Sequence, residues 1–305
     1  MDRRRFSLTL SSLLAWAAWP TPPIPERPPR RLLLFTKSAG FEHDVVKRTS
    51  GAPSVVERAL TGLGAARGFV LTATKDGGVF TPDGLRDYDA VCFFTTGDLT
   101  TRGTDGEPAM TPGGKAALLA AVASGLGFVG VHSAADTFHT PPETPDRANR
   151  YVSHAGALDP YLAMLGGEFI NHGPPQAATV RVTAPRFPGA PATPELRRHG
   201  EWYSLKDFAP DLRVVMVLDT EGMEGRDYRR GPYPVTWARR HGRGRVFYTA
   251  LGHFEAEWSD PVLLDLLAGA LRWAFGDAEA ELTPNLVDAA PRHRELPPAR
   301  PWPAP

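Results

Sequence analysis

Gly127-Phe128-Val129-Gly130-Val131-His132-Ser133-Ala134-Ala135-Asp136 is the segment from which the fold can be read. Residues 127–131 form an apolar run too short for a helix, and their lack of polar alternation marks a strand buried on both faces. Polarity returns abruptly at His132, as it does where a strand of an open α/β sheet ends and its ligand-binding loop begins. Just upstream, residues 112–124 read as a helix with Pro112 near its start and Gly125 after its end. A helix feeding a doubly buried strand is half of a βαβ unit and predicts a parallel sheet.

Working outward, the same grammar repeats. Residues 32–35, 70–73 and 90–94 read as further strands, and residues 54–63 as a helix with apolar positions at helical spacing, stopped by Gly64. Later strands are expected at 178–183, 213–218, 235–239 and 246–249, and an amphipathic helix at 261–275 closes the unit. There is no internal repeat, so the expectation is one α/β domain over residues 31–276, a parallel sheet sandwiched by helices.

The flanks differ in kind. Arg3-Arg4-Arg5-Phe6 precedes an apolar stretch at 8–18, half the ~20 residues that a membrane-spanning helix needs. Ala15-Trp16-Ala17 offers small residues for cleavage. The paired arginines resemble a twin-arginine export signal, so residues 1–30 are expected to be a signal and Pro-rich spacer, the mature protein exported or periplasmic, and the membrane met only during export. Residues 277–305, rich in proline and charge, read as a tail.

Composition narrows the partners. Of 305 residues 42% are hydrophobic, enough for a sizeable core, and 34 Lys+Arg balance 34 Asp+Glu. A net charge of zero gives no electrostatic footprint for nucleic acid, and points to a small neutral partner. The single cysteine, Cys92, lies inside an apolar strand; it has no disulfide partner in the chain and reads as an inert core thiol.

Chemistry is expected where strands end. Lys37, Phe41, Glu42 and His43 follow the first strand, Thr95-Thr96-Gly97-Asp98 the third, and His132, Ser133 and Asp136 the fourth. His172 follows the Gly166-Gly167 pair by five residues, Glu201-Trp202-Tyr203 sets a carboxylate beside a stacking ring, and His253 lies just past the strand at 246–249. His132 suits a general base, a metal ligand or a structural imidazole satisfied by backbone. Asp136 suits orientation of His132, binding of a substrate hydroxyl, or a helix N-cap. Glu201 with Tyr203 suits acid/base work and ring stacking; Lys37 and Phe41 suit a pocket lip. His43, His172 and His253 could converge with His132 on a divalent metal, but no short His-x-x-x-His pair exists, so no metal ligand is assigned and no cofactor is firmly implied. His139, His154, His199 and His293 lack such placement, and His241 reads as a hairpin turn.

Six segments in series carry a resemblance: Thr36 to His43, Gly130 to Asp136, Leu165 to His172, Glu201 to Tyr203, Pro234 to Trp237 and Gly244 to His253. Together they resemble the trehalose-utilisation (ThuA-like) family. The resemblance implies a flavodoxin-like parallel sheet similar to class I glutamine amidotransferases. Those enzymes carry a nucleophilic cysteine on the sharp turn after a central strand, whereas this chain has Gly130-Val131-His132-Ser133, and Cys92 belongs to another strand. Covalent thiol chemistry is therefore disfavoured.

What the resemblance implies for function is carbohydrate metabolism: a hydrolase or lyase acting on a glycoside or keto-sugar by acid/base chemistry, with a small-molecule sugar as its partner. The expected catalytic residues are His132, Asp136 and Glu201; the expected substrate-binding residues are Lys37, Phe41, His43, His172, Tyr203 and His253. Asp136 and Glu201 are the carboxylate pair that conventional glycoside hydrolysis would need. The alternative is a non-catalytic sugar-binding or scaffold domain. Gly173 stands where the family generally has proline, and residues 138–157 look like an enlarged loop over the pocket.

Overall fold

A computed structural model describes residues 28–299 apart from Pro145 and Ala155. Residues 1–27, where an export signal is expected, and residues 300–305 lie outside the described residues. In chain order the first half runs β1 (Arg30–Phe35), β2 (Ser38–Ala39), α1 (Val55–Arg67), β3 (Phe69–Thr74), α2 (Pro82–Leu85), β4 (Ala90–Phe93), β5 (Thr96–Gly97), α3 (Pro112–Ser124) and β6 (Gly127–Val131). The second half adds α4 (Pro160–Leu165), β7 (Glu168–His172), β8 (Gln176–Val182), β9 (Glu195–Gly200), β10 (Tyr203–Lys206), β11 (Arg213–Asp219), β12 (Tyr233–His241), β13 (Gly244–Thr249), α5 (Pro261–Ala274) and α6 (Leu286–Ala289).

Nine strands form the main sheet in the order β3-β1-β4-β6-β13-β12-β11-β8-β9. From β3 to β13 every pairing is parallel; from β13 to β9 every pairing is antiparallel. The parallel sheet expected from the sequence is thus extended by an antiparallel half. The switch comes at Arg239-Arg240-His241-Gly242-Arg243, where His241 pairs with Gly244 across a tight hairpin, and a short connection can join only antiparallel neighbours. Leu34, Cys92, Val129 and Phe247 lie in one register line across four strands, all essentially inaccessible to water. Burying each such apolar side chain contributes about 1.5–3 kcal/mol.

Local sequence explains the helix ends. Ser54 accepts from the Glu57 N–H while Glu57 reaches back to Ser54, a reciprocal cap that starts α1. Thr111 caps α3 and Asp260 caps α5, each followed by proline. Gly64 does not stop α1: the helix runs on to Arg67 and ends at Gly68, which has φ +81°. Gly64 is there for packing, since a Cβ at that position would lie 2.6 Å from the Phe69 carbonyl oxygen. Helices α1 and α5 touch one another, as do α3 with α2 and α4, giving two helical groups flanking the sheet.

The described part of the Pro-rich C-terminal segment is packed rather than free. Asn285 bonds both the N–H and the carbonyl of Val214, Leu286, Ala289 and Ala290 are buried, and the buried Arg230 guanidinium donates to the His293 carbonyl. Three apolar anchors and a hydrogen-bond pair to the start of β11 outweigh a composition that reads as tail.

Candidate functional site

Because β1, β4, β6 and β13 are parallel, their carboxyl ends open on one edge of the sheet, and the segments that follow carry His43, Thr96-Gly97, His132 and His253. A fifth contribution comes from the small antiparallel pair β7 and β10, which brings His172 opposite Tyr203 and places Glu201 just before β10. The Glu201 loop is pinned by its neighbour: Trp202 is buried, donates its indole N–H to the Gln176 carbonyl, and its own carbonyl accepts from the Tyr228 hydroxyl. On the opposite side Lys75 bonds the Thr36 carbonyl and Glu42, bracing the approach to His43.

His132 is fully buried and has φ +46°, left-handed backbone at a non-glycine residue. Such strain costs of order 1–3 kcal/mol and persists where the surroundings impose it. Here the surroundings do so: Tyr248 donates to the His132 carbonyl at 2.8 Å, and the ring Nδ1 lies 2.9 Å from the Ala250 carbonyl oxygen. A carbonyl only accepts, so Nδ1 carries a proton. Nε2 lies 3.1 Å from His253 Nδ1 and 3.3 Å from Glu201 Oε2, while His253 Nδ1 is 3.0 Å from the same carboxylate oxygen.

His43 and Tyr203 complete the group. One ligand atom each from His43, His132, Glu201 and His253 falls within 4.8 Å of all the others. Burial, followed by the neighbouring His132 and His253, pushes His43 down to about 2, so its imidazole is neutral. Burial opposes ionisation of Glu201, yet hydrogen bonds from His132 and His253 outweigh it and hold the carboxyl well below the usual carboxylate range. Tyr203 packs its ring 4.2 Å from that of His132. Glu201 also reaches outward, with Oε1 3.4 Å from His172 Nδ1.

Above this group lies a cavity of about 400 Å³ whose wall includes His43, Glu201, Tyr203, His172, Asp136 and Phe41. Phe41 is 66% exposed at the lip. The wall also includes Phe169, Asn171, His139, Arg147 and Arg150. Gly97, with φ +77°, allows β2 and β5 to meet beside it, for a Cβ there would fall 2.0 Å from the Ala39 carbonyl oxygen. A second cavity, sharing Gly97, His139 and Arg150, adjoins the first.

Two expected roles change. Lys37 is not at the lip: its side chain is fully buried and its ammonium binds Asp105 and the Glu107 carbonyl, bracing a loop. Asp136 does not orient His132, whose nitrogens are engaged elsewhere, and it ends rather than caps the short helical turn at His132–Asp136. Its carboxylate is bound by His139 and Arg150, which keep it ionised against the opposing effect of burial. His139, which has no strand-end placement in the sequence, and Arg147 and Arg150, which no local signal marks, belong to the enlarged loop read at 138–157. His139 and Arg150 both contact Asp136 and Glu143 and fold that loop down as the cavity wall.

The family model for ThuA, trehalose utilisation, matches residues 31–274. The chain belongs to the ThuA family. Solved structures agree in fold: a ThuA-like protein from Bacteroides uniformis is 21% identical with a TM-score of 0.58, covering 84% of this chain and 95% of its own. A ThuA-like protein from Parabacteroides merdae is 18% identical with a TM-score of 0.55, covering 89% and 98% respectively. No curated protein matches the chain significantly. In this ThuA chain the turn after β6 bears His132 in place of a thiol, and Cys92 is buried in β4, where desolvation pushes it up to about 12. Membership of the ThuA family supports a carbohydrate-related role.

Proposed function

We propose that the protein is a carbohydrate-active lyase that cleaves a keto-sugar glycoside by proton transfer at its His172–Glu201 pair, in an exported or periplasmic setting. The observation that carries the reading is the double engagement of Glu201, whose Oε1 faces His172 and whose Oε2 is held by the buried His132 and His253. His172 Nδ1 also lies 3.0 Å from the Gly173 carbonyl oxygen. With its proton on Nδ1, shared by that carbonyl and the carboxylate, the ring keeps Nε2 as its basic nitrogen in the cavity wall. A carboxylate that orients an imidazole in this way favours the imidazolium that forms when a proton is taken up.

The electronic state of the carboxyls favours a keto-sugar over an ordinary glycoside. Conventional hydrolysis needs one protonated carboxyl to protonate the leaving oxygen, and both Asp136 and Glu201 are held ionised. In a keto-sugar the C–H beside the carbonyl is acidified. His172 removes the proton from the carbon between the carbonyl and the glycosidic carbon, and the electron pair moves onto the carbonyl oxygen. When it returns, a carbon–carbon double bond forms, the glycosidic C–O bond breaks, and the leaving oxygen takes the proton back from His172. Arg147 in the same wall favours the developing oxyanion, and Arg150 helps to hold the bound sugar. Phe41, Phe169 and Tyr203 offer ring faces to the sugar, and the adjoining cavity gives a second ring room.

Purified protein is tested with a keto-disaccharide and with its unoxidised parent, following the unsaturated product by absorbance. Turnover of the keto-sugar alone, falling by about 10²–10⁴-fold in His172→Ala and Glu201→Gln, is the expected result. Equal turnover of the parent, unchanged turnover in both variants, or calorimetric binding of the keto-sugar with no product would overturn it, the last result selecting the non-catalytic sugar-binding alternative.

A further inference from the structure

We propose that His132, His253 and Glu201, with His43 at the fourth position, bind one divalent transition-metal ion of the zinc type beneath the cavity floor. The argument rests on four features of the cluster and uses no assumption about the substrate.

The first is spacing. Zinc bonds to imidazole nitrogen and carboxylate oxygen are ~2.0–2.2 Å, so a tetrahedral centre holds its ligand atoms roughly 3.3–3.5 Å apart. The three measured edges among His132 Nε2, His253 Nδ1 and Glu201 Oε2 are 3.1, 3.3 and 3.0 Å, a triangle that needs only slight expansion. The ring of His43 lies on the same centre, 5.0 Å from that of His132 and 5.3 Å from that of His253.

The second is which atoms face one another. With Nδ1 bonded to the Ala250 carbonyl, His132 is left to present Nε2 to Glu201 Oε2 at 3.3 Å, and His253 Nδ1 lies within 3.1 Å of both. Imidazole nitrogen and carboxylate oxygen are the atoms through which these side chains bind zinc, and one ion at the centre of the triangle would engage all three at once.

The third is the outer shell. Metal-bound histidine characteristically donates its other ring nitrogen to a carbonyl or carboxylate, which fixes tautomer and ring orientation. His132 is held in that way by Ala250 and by the strained turn it occupies. His43 Nδ1 is buried without a hydrogen-bond partner among the described residues.

The fourth is the ligand type. Three imidazoles and one carboxylate suit zinc and its neighbours, whereas magnesium and calcium require mostly oxygen. The other cluster of similar composition, His154, Glu168 and Asp207, has no vacant charge, because the Lys206 ammonium lies 3.0 Å from His154 and 3.2 Å from Glu168. A bound ion would supply Lewis acidity to an oxygen entering from the cavity.

The test measures metal without any sugar. Full-length protein is stripped with a chelator, titrated calorimetrically with Zn²⁺, and loaded with Co²⁺ for visible spectroscopy. Expected are one equivalent per chain, intense cobalt d–d bands of low-symmetry four- or five-coordination, and an affinity loss in His253→Ala and Glu201→Gln exceeding the roughly 10–100-fold that losing an outer-shell partner costs. His199→Ala, removing an exposed imidazole outside the cluster, is expected to bind as the parent does. No stoichiometric binding, or unweakened binding in both cluster variants, overturns the inference. Metal binding without keto-sugar turnover would leave the ion in place and remove only the lyase reading.

Discussion

His132 Nε2 lies 3.3 Å from Glu201 Oε2 while its Nδ1 is bonded to the Ala250 carbonyl. The strand end that bears His132 and the loop that bears Glu201 belong to different parts of the chain, so this contact exists only in the folded molecule. Its consequence is a fixed tautomer. Imidazole ¹⁵N NMR of the chelator-treated protein at neutral pH is expected to show His132 protonated at Nδ1, with a slowly exchanging proton. A neutral His132 ring protonated at Nε2 alone would contradict the geometry.

Glu168 and Lys206 make a buried pair at 3.2 Å. The two shifts pull apart in meaning: burial opposes Glu168 ionisation but Lys206, the Thr140 N–H and His154 outweigh it, whereas for Lys206 burial prevails and lowers its pKa. Breaking the pair leaves an ammonium in the interior, so Glu168→Gln is expected to cost about 3–5 kcal/mol in urea unfolding near neutral pH. Because the folded Glu168 pKa is depressed, its stabilisation is complete above about pH 4.3 and is lost as pH falls through the lower folded value. The gap between parent and variant should therefore close in acid; a constant gap would refute the assignment.

Cys92 is expected to resist labelling by a thiol reagent in the native protein and to react fully in guanidinium, since burial in β4 raises its pKa to about 12. Cys92→Ala is expected to keep keto-sugar turnover within about twofold while losing on the order of 1 kcal/mol of stability. Rapid native labelling with loss of turnover would restore a thiol mechanism.

Arg150 ties Asp136 to Glu143 and lines both cavities. Arg150→Met removes charge-assisted hydrogen bonds worth about 1.5–3 kcal/mol each, and the predicted effect is a rise in KM of roughly 10–100-fold with a smaller change in kcat. Steady-state kinetics distinguish this from a fall in kcat alone, which would assign Arg150 to the chemical step instead.

Periodicity specified the main strands of the parallel half to within two residues at each end. The helix at 112–124 and the strand at 127–131 coincide with α3 and β6, because capping residues and continuous apolar runs are local properties. The abrupt polar break at His132 likewise marked the end of β6. Strands β7, β9 and β10 were not anticipated: they are short or half-exposed, and their pairing depends on partners far along the chain. Lys37 shows the same limit from the other side, for a lysine after a strand looks like a pocket residue until Asp105 folds back to bury it. The histidines were visible as a set of strand-end residues, but no local spacing related them. Parallel strand ends, the β7–β10 pair and the buried Trp202 bring His43, His132, His253 and Glu201 within 4.8 Å, and only that convergence sets the Glu201 carboxylate against His132 and His253 and lowers its pKa.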